Sequence, residues 1–221
     1  MKRQVSLEEI SDGRLYDLND MVKADCKNCE GCSSCCEGMG SSIILTPLDV
    51  YELTKNMQCT FEQLLAEKIE LNVVDGVILP NLKMSGAKKK CAFLTSEGRC
   101  SIHAFRPGIC RIFPLGRYYN EKGFQYFLQI HECKKENRGK IKVRKWIDIP
   151  DLKQHEKFIM DWHTLLMELE EVIQKSEDTE IKSMNMFFLN LFFIKSYDRD
   201  KDFYIQFEER SEMIKKQYHL Q

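Results

Sequence analysis

Two hydrophobic rhythms run along this 221-residue chain, and they change over near Pro150. Beyond that point "HEKFIMDWHTLLMELEEVIQK", "IKSMNMFFLNLFFIK" and "FYIQFEERSEMIKKQY" repeat their apolar positions at helical spacing. Phe187, Phe188, Leu191 and Phe192 form a packing face within the second stretch. Before Pro150 the elements are shorter. "ILTPLDVYELTKN" starts a helix, with Thr46 as N-cap and Pro47 at the first helical position. In "TFEQLLAEKIEL", Thr60 and Gln63 have capping-box spacing, and Phe61, Leu64, Leu65 and Ile69 share one helical face. "NVVDGVILP" reads as a hairpin turning at Asp75-Gly76, and "RYYNEKGFQYFLQI" as another turning within 120–123. Residues 1–24 read as a polar lead-in with at most a helical turn.

This pattern predicts an α+β fold: a small cysteine-rich, metal-stapled domain of short hairpins and helices over residues 1–150. A helical C-terminal extension, 151–221, is expected to pack on it. Hydrophobic residues make up 43% of the chain, enough for a core. A net charge of −1 gives no global attraction to nucleic acid or to an anionic membrane. The basic run "KKENRGKIKVRKW" reads as a solvated strand or loop rather than a nucleic-acid patch. The first twenty residues lack the apolar stretch of a signal peptide, and "MNMFFLNLFFI" is too short for a bilayer span. The expectation is a cytoplasmic protein with no membrane partner, and with a redox or protein partner that the sequence does not name.

That compartment bears on the ten cysteines. Disulfides are rare in a reducing cytoplasm, so dense cysteines point to metal ligation before transient redox disulfides. Cys26, Cys29, Cys32, Cys35 and Cys36 fall in one short block, "DCKNCEGCSSCC". A C-x2-C pair closes a chelate loop on one metal. Three cysteines at that spacing match the segment that supplies a cubane iron–sulfur cluster in ferredoxins, although the fourth Cys-Pro of that run is missing. Adjacent Cys35 and Cys36 diverge from the backbone, so they suit two neighbouring sites, or one of them is a core residue. Cys91, Cys100, Cys110 and Cys133 follow in turn-rich segments. Cys59 has no cysteine neighbour and reads as a small buried hydrophobe.

The ordered set Cys29-x2-Cys32-x2-Cys35-Cys36, "LTPLDVYEL", "CAFLTSEGRCSIHAFRPGICRIFPLGR" and Cys133 in "IHECKK" resembles the CxxCxxCC, or YkgJ-type, cysteine-cluster family over about residues 25–135. That resemblance implies a cytoplasmic bacterial metal-chelating domain. Its cluster cysteines would be Cys29, Cys32, Cys35, Cys36, Cys91, Cys100, Cys110 and Cys133. Such proteins are often labelled Fe–S oxidoreductases without a defined reaction. A related motif occurs in flagellin lysine methylases. Cys26 is an addition to the family pattern and an alternative ligand; His103 stands where relatives usually carry Tyr.

The expected cofactor is an iron–sulfur cluster, 4Fe–4S by its spacing, used for electron transfer or substrate activation. The alternative is structural zinc in a module that binds protein or RNA. Arg106, Arg111 and Arg117 flank Cys110, and Arg106 and Arg111 are candidates for stabilising the negative charge of the cluster or holding an anionic substrate beside it. His103 and His131 neighbour the cysteines without being assigned as ligands; His155 and His163 read as surface or core-edge residues. No G-x-G-x-x-G, P-loop, nucleophile elbow or C-x3-C-x2-C motif is present, so any catalysis falls to the metal site.

Overall fold

The computed structural model describes residues 6–27, 32–121, 123–135 and 137–220. Its architecture is α+β, with small antiparallel sheets and a helical C-terminal part. The first element is a helical turn, α1 (Leu7–Ile10), followed by strands β1 (Ser11–Tyr16) and β2 (Met21–Asp25). These strands correct the reading of residues 1–24 as a lead-in. Their partners are distant: Tyr16 pairs with Tyr126 and Val22 with Ile141. Short, charged strands of this kind carry little local signal, and the pairing supplies the structure.

Helices α2 (Pro47–Met57) and α3 (Phe61–Glu67) start where the caps place them. The Thr46 side chain accepts from the Asp49 N–H, and Thr60 accepts from the Gln63 N–H; both capping boxes are complete. The second helix ends sooner than its apolar face suggests. Ile69 leaves it to open β3 (Ile69–Val74), where it pairs with Leu82 of β4 (Val77–Leu82). The β-branched run that follows favours the strand, and the hairpin register fixes the switch. The turn lies at Asp75-Gly76, both at positive φ (50° and 84°), as a two-residue hairpin loop requires.

A small pair, β5 (Met84–Ser85) and β6 (Lys90–Cys91), leads into the second cysteine region. Helix α4 (Gly108–Ile112) precedes the second hairpin, β7 (Leu115–Asn120) and β8 (Gly123–Gln129). Together with β1 these strands form a three-stranded sheet in the order β1-β8-β7. The basic run contains β9 (Gly139–Lys142), paired with β2, and helix α5 (Val143–Ile147), which buries Val143, Trp146 and Ile147. Three longer helices follow: α6 (Leu152–Ile173), α7 (Asp178–Leu189) and α8 (Phe203–Tyr218). α7 runs on into a π-helical turn, Asn190–Ile194.

Two hydrophobic cores result. The larger joins α2, α3 and the β3–β4 hairpin to α6, α7 and α8, through Leu53, Leu64, Phe158, Trp162, Phe188, Phe192 and Phe207. It therefore draws on chain from both sides of Pro150. The smaller core gathers Tyr16, Val22, Ala24, Leu115, Tyr126, Leu128, Trp146 and Ile147 beneath the three-stranded sheet. Phe124 packs against both. Among the described residues, no helix is long and apolar enough to cross a membrane.

Candidate metal centre

The cysteines meet where the two cores adjoin. A cavity of about 340 Å³ opens there, walled by Ile43, Leu82 and Ile102 of the larger core and by Leu115 and Trp146 of the smaller one. Cys32, Cys35, Cys36, Cys91, Cys100 and Cys110 line it. They come from four separate segments, so local backbone contacts have to bring them together. Cys35 and Cys36 sit on a single 3-10 turn, Ser34–Cys36. The chain beyond that turn is stitched to β6: Glu37 bridges to Lys90, and the Gly38 N–H donates to Lys89 O at 2.9 Å. This contact sets the turn carrying Cys35 and Cys36 beside Cys91. Cys100 faces Leu94 across a tight turn in which the Thr95 N–H donates to Arg99 O, and the Ser101 N–H donates to Phe93 O at 2.9 Å.

Cys110 is positioned by a buried carboxylate. Asp49 accepts from the Gly108 N–H at 2.8 Å through Oδ1, while its Oδ2 accepts from the Thr46 N–H at 2.8 Å. One side chain thus completes the capping box of α2 and anchors α4 to it, with Cys110 two residues further along. The sequence singles out Thr46 and Pro47 here but gives no sign of this second task. Only the fold brings position 108 to position 49.

The electrostatics of this neighbourhood suit a cation. Burial pushes the Cys110 thiol far above the usual range, and nearby Cys91, Asp49, Cys35 and Cys100 push it further. Burial also raises Cys91, with Cys100 adding to the effect. Cys100 is raised by burial and partly offset by the Ile102 N–H and by Arg106 and Arg99. Thiols this close oppose one another's ionisation, and a bound metal reverses the sign of that argument by stabilising each thiolate.

The remaining cysteines lie elsewhere. Cys29 falls outside the described residues. Cys26 is buried in the smaller core rather than lining the cavity. Cys59 is half-buried against the larger core, where burial raises its thiol. Cys133 is half-buried beyond β8; its neighbour Glu132, not Cys133, lines the cavity. All nine described cysteines are thiols.

Arg106 and His103 line the cavity, and their side chains contact one another through Nη1 and Nε2. Arg111 turns away from it, donating to Ala104 O at 2.8 Å. One histidine differs from its sequence reading: His155 is 4% exposed, far from a surface residue, whereas His163 is half-buried and stacks on Tyr119 with 3.8 Å between ring centroids. His155 is buried because α6 packs one face onto the sheet and another onto the helical layer, which the periodicity of a single helix does not reveal.

Six soft donors around one cavity fit a thiophilic metal or an iron–sulfur cluster in number and kind. Among the described residues, no three His, Cys, Asp or Glu side chains converge on a single point. The thiols surround the cavity instead. No curated protein and no solved structure matches the chain. The model of one family does, over residues 28–142. That is just over half the chain, and it takes in every segment that contributes a thiol to the cavity. The chain therefore belongs to the CxxCxxCC family, described as a "putative zinc- or iron-chelating domain".

Proposed function

We propose that this metal-binding protein is cytoplasmic and carries a cysteine-ligated iron–sulfur cluster, of the 4Fe–4S kind, at the junction of its two cores. The supporting observation is the placement of six thiols around one cavity, more than the four that a single tetrahedral ion uses. Cys32, Cys35, Cys36, Cys91, Cys100 and Cys110 would hold the cluster, with Cys29 and Cys133 completing the set carried over from the family motif. Such a cluster supplies one-electron transfer or, through an open iron, binding and activation of a substrate. The chain's own part is to exclude water with Ile43, Leu82, Ile102 and Trp146, and to offset negative charge with Arg106 and Arg99 near Cys100.

Zinc is the second reading, in which closed sites would be purely structural. It is favoured by the C-x2-C chelate pairs of the first cysteine block, each of which can close on one ion.

Iron, acid-labile sulfide and zinc per chain, measured on protein purified without oxygen, separate the two. About four iron and four sulfide, with broad absorption near 400 nm, are expected. Stoichiometric zinc in a colourless preparation would overturn the iron–sulfur reading. On either reading, Cys110→Ser and Cys32→Ser are expected to give metal-poor, poorly soluble protein. Equal stability of metal-free and metal-loaded wild type would refute the stapling role.

A further inference from the structure

A second cavity, of about 470 Å³, lies directly behind the first. Its walls come from three separated parts of the chain: Asp25 at the end of β2, the segment from His103 to Arg111, and Lys145 to Asp148 in and after α5. His103, Arg106 and Trp146 line both cavities and form the partition between them.

Its charges are not balanced internally. Arg106, Arg111 and Lys145 face it with three positive charges against the carboxylates of Asp25 and Asp148. Among the described residues, none of the three cations forms an ion pair with either carboxylate. Arg106 also holds its Nε buried without a hydrogen-bond partner. The two guanidiniums stand close enough to repel one another in a partly desolvated setting. Like charges drawn together this way, with donors left over, are the usual construction of an oxyanion site. Among the described residues their hydrogen-bond partners are neutral, Arg111 spending two donors on the carbonyls of Ala104 and Asp148 and Arg106 contacting the His103 ring, while the carboxylates of Asp148, Asp49 and Glu52 offset the Arg111 charge only from a distance.

We propose that this pocket binds a small organic oxyanion, its phosphate or carboxylate group held by Arg106, Arg111 and Lys145 immediately beside the cysteine cavity. The volume exceeds that of a bare phosphate and lies within the range of small-molecule sites. The remainder of the ligand would lie against Ile141 and Ala104. Asp25 and Asp148 disfavour a highly charged polyanion and leave room for a ligand that also carries an amine. The site does not depend on which metal the neighbouring cysteines hold.

The test uses the full chain with its metal as isolated. Inorganic phosphate and, separately, acetate are titrated calorimetrically at fixed ionic strength, with metal content measured before and after. Saturable binding of either probe is expected, with metal retained, and the tighter probe identifies phosphoryl or carboxylate as the group recognised. Lys145 is exposed on a short helix, so Lys145→Glu leaves the fold intact and should weaken binding about tenfold or more. Arg106→Gln should do the same. Lys140→Glu makes the same charge change on β9 outside the pocket and should bind like wild type. Failure of both probes to saturate would overturn the proposal. So would equal weakening by Lys140→Glu and Lys145→Glu, since that would mean only diffuse surface charge. Metal analysis of the same samples decides the iron–sulfur reading independently.

Discussion

His155 offers a quantitative test of how the two cores are joined. The residue lies on α6 with 4% of its surface exposed, and neither ring nitrogen has a hydrogen-bond partner among the described residues. Phe158 on its own helix is 6.2 Å away between ring centroids. The charges facing it are both positive, Arg117 from β7 and Arg111 from α4. Burial first, and then these two arginines, push its pKa from 6.5 down to about 4. Well above pH 6.5 the ring is neutral in both folded and unfolded chains and adds no pH dependence. As pH falls from there to about 4, the unfolded chain takes up a proton that the folded chain refuses, so stability is lost on acidification. The full loss below that window is about 3 kcal/mol, of which about 2.5 kcal/mol has gone by pH 4.5. Other acid-sensitive groups, including any metal-bound thiolates, also titrate, so the informative quantity is a difference. Urea denaturation of wild type and His155→Leu at pH 7 and pH 4.5 gives it. The variant should gain about 2.5 kcal/mol on wild type between the two pH values. A difference that stays constant within about 0.5 kcal/mol would show that His155 accepts a proton freely in the folded protein, and would refute the argument from burial.

Three further outcomes follow from packing and hydrogen bonding. Asp49→Ala removes the carboxylate half of the α2 capping box and the anchor of α4 together, and should cost about 3 kcal/mol by denaturant titration, with metal content falling because Cys110 loses its support. Gly76→Ala places a Cβ 2.6 Å from Ile173 Cγ2 at a φ of 84°, and should cost about 2–4 kcal/mol; Ile173→Ala in the same chain should relieve only the steric part, which a double-mutant cycle measures. Arg210 donates to Leu191 O, Lys195 O and Ser196 O at 2.6–2.7 Å and lies 3.6 Å over the Tyr197 ring, closing the end of the π-helical turn. Arg210→Met should lower the melting temperature by several degrees, about 3 kcal/mol, and Arg210→Lys should not rescue it, because one ammonium cannot span three carbonyls.

Much of this protein is local and therefore legible in its sequence. Thr46-Pro47 and Thr60-x2-Gln63 start their helices because a cap needs only its own first turn. Asp75-Gly76 and the turn between Asn120 and Gly123 make hairpins because turn chemistry is a property of two to four residues. The cysteine spacing likewise carries the family and the kind of donor. What depends on distant chain was not legible. β1 and β2 exist because strands more than a hundred residues away pair with them, and Ile69 leaves its helix because Leu82 offers a partner. Spacing groups Cys26 with the other cysteines of its block, yet packing places it in the smaller core. The link from Asp49 to Gly108, the burial of His155 and the arginine-lined pocket each join segments that no period or motif relates. Sequence alone determines donors, caps and turns, because those are short-range chemistry. Tertiary structure decides which thiols share a cavity and which charges face one another, because burial and long-range contact are properties of the assembled cores.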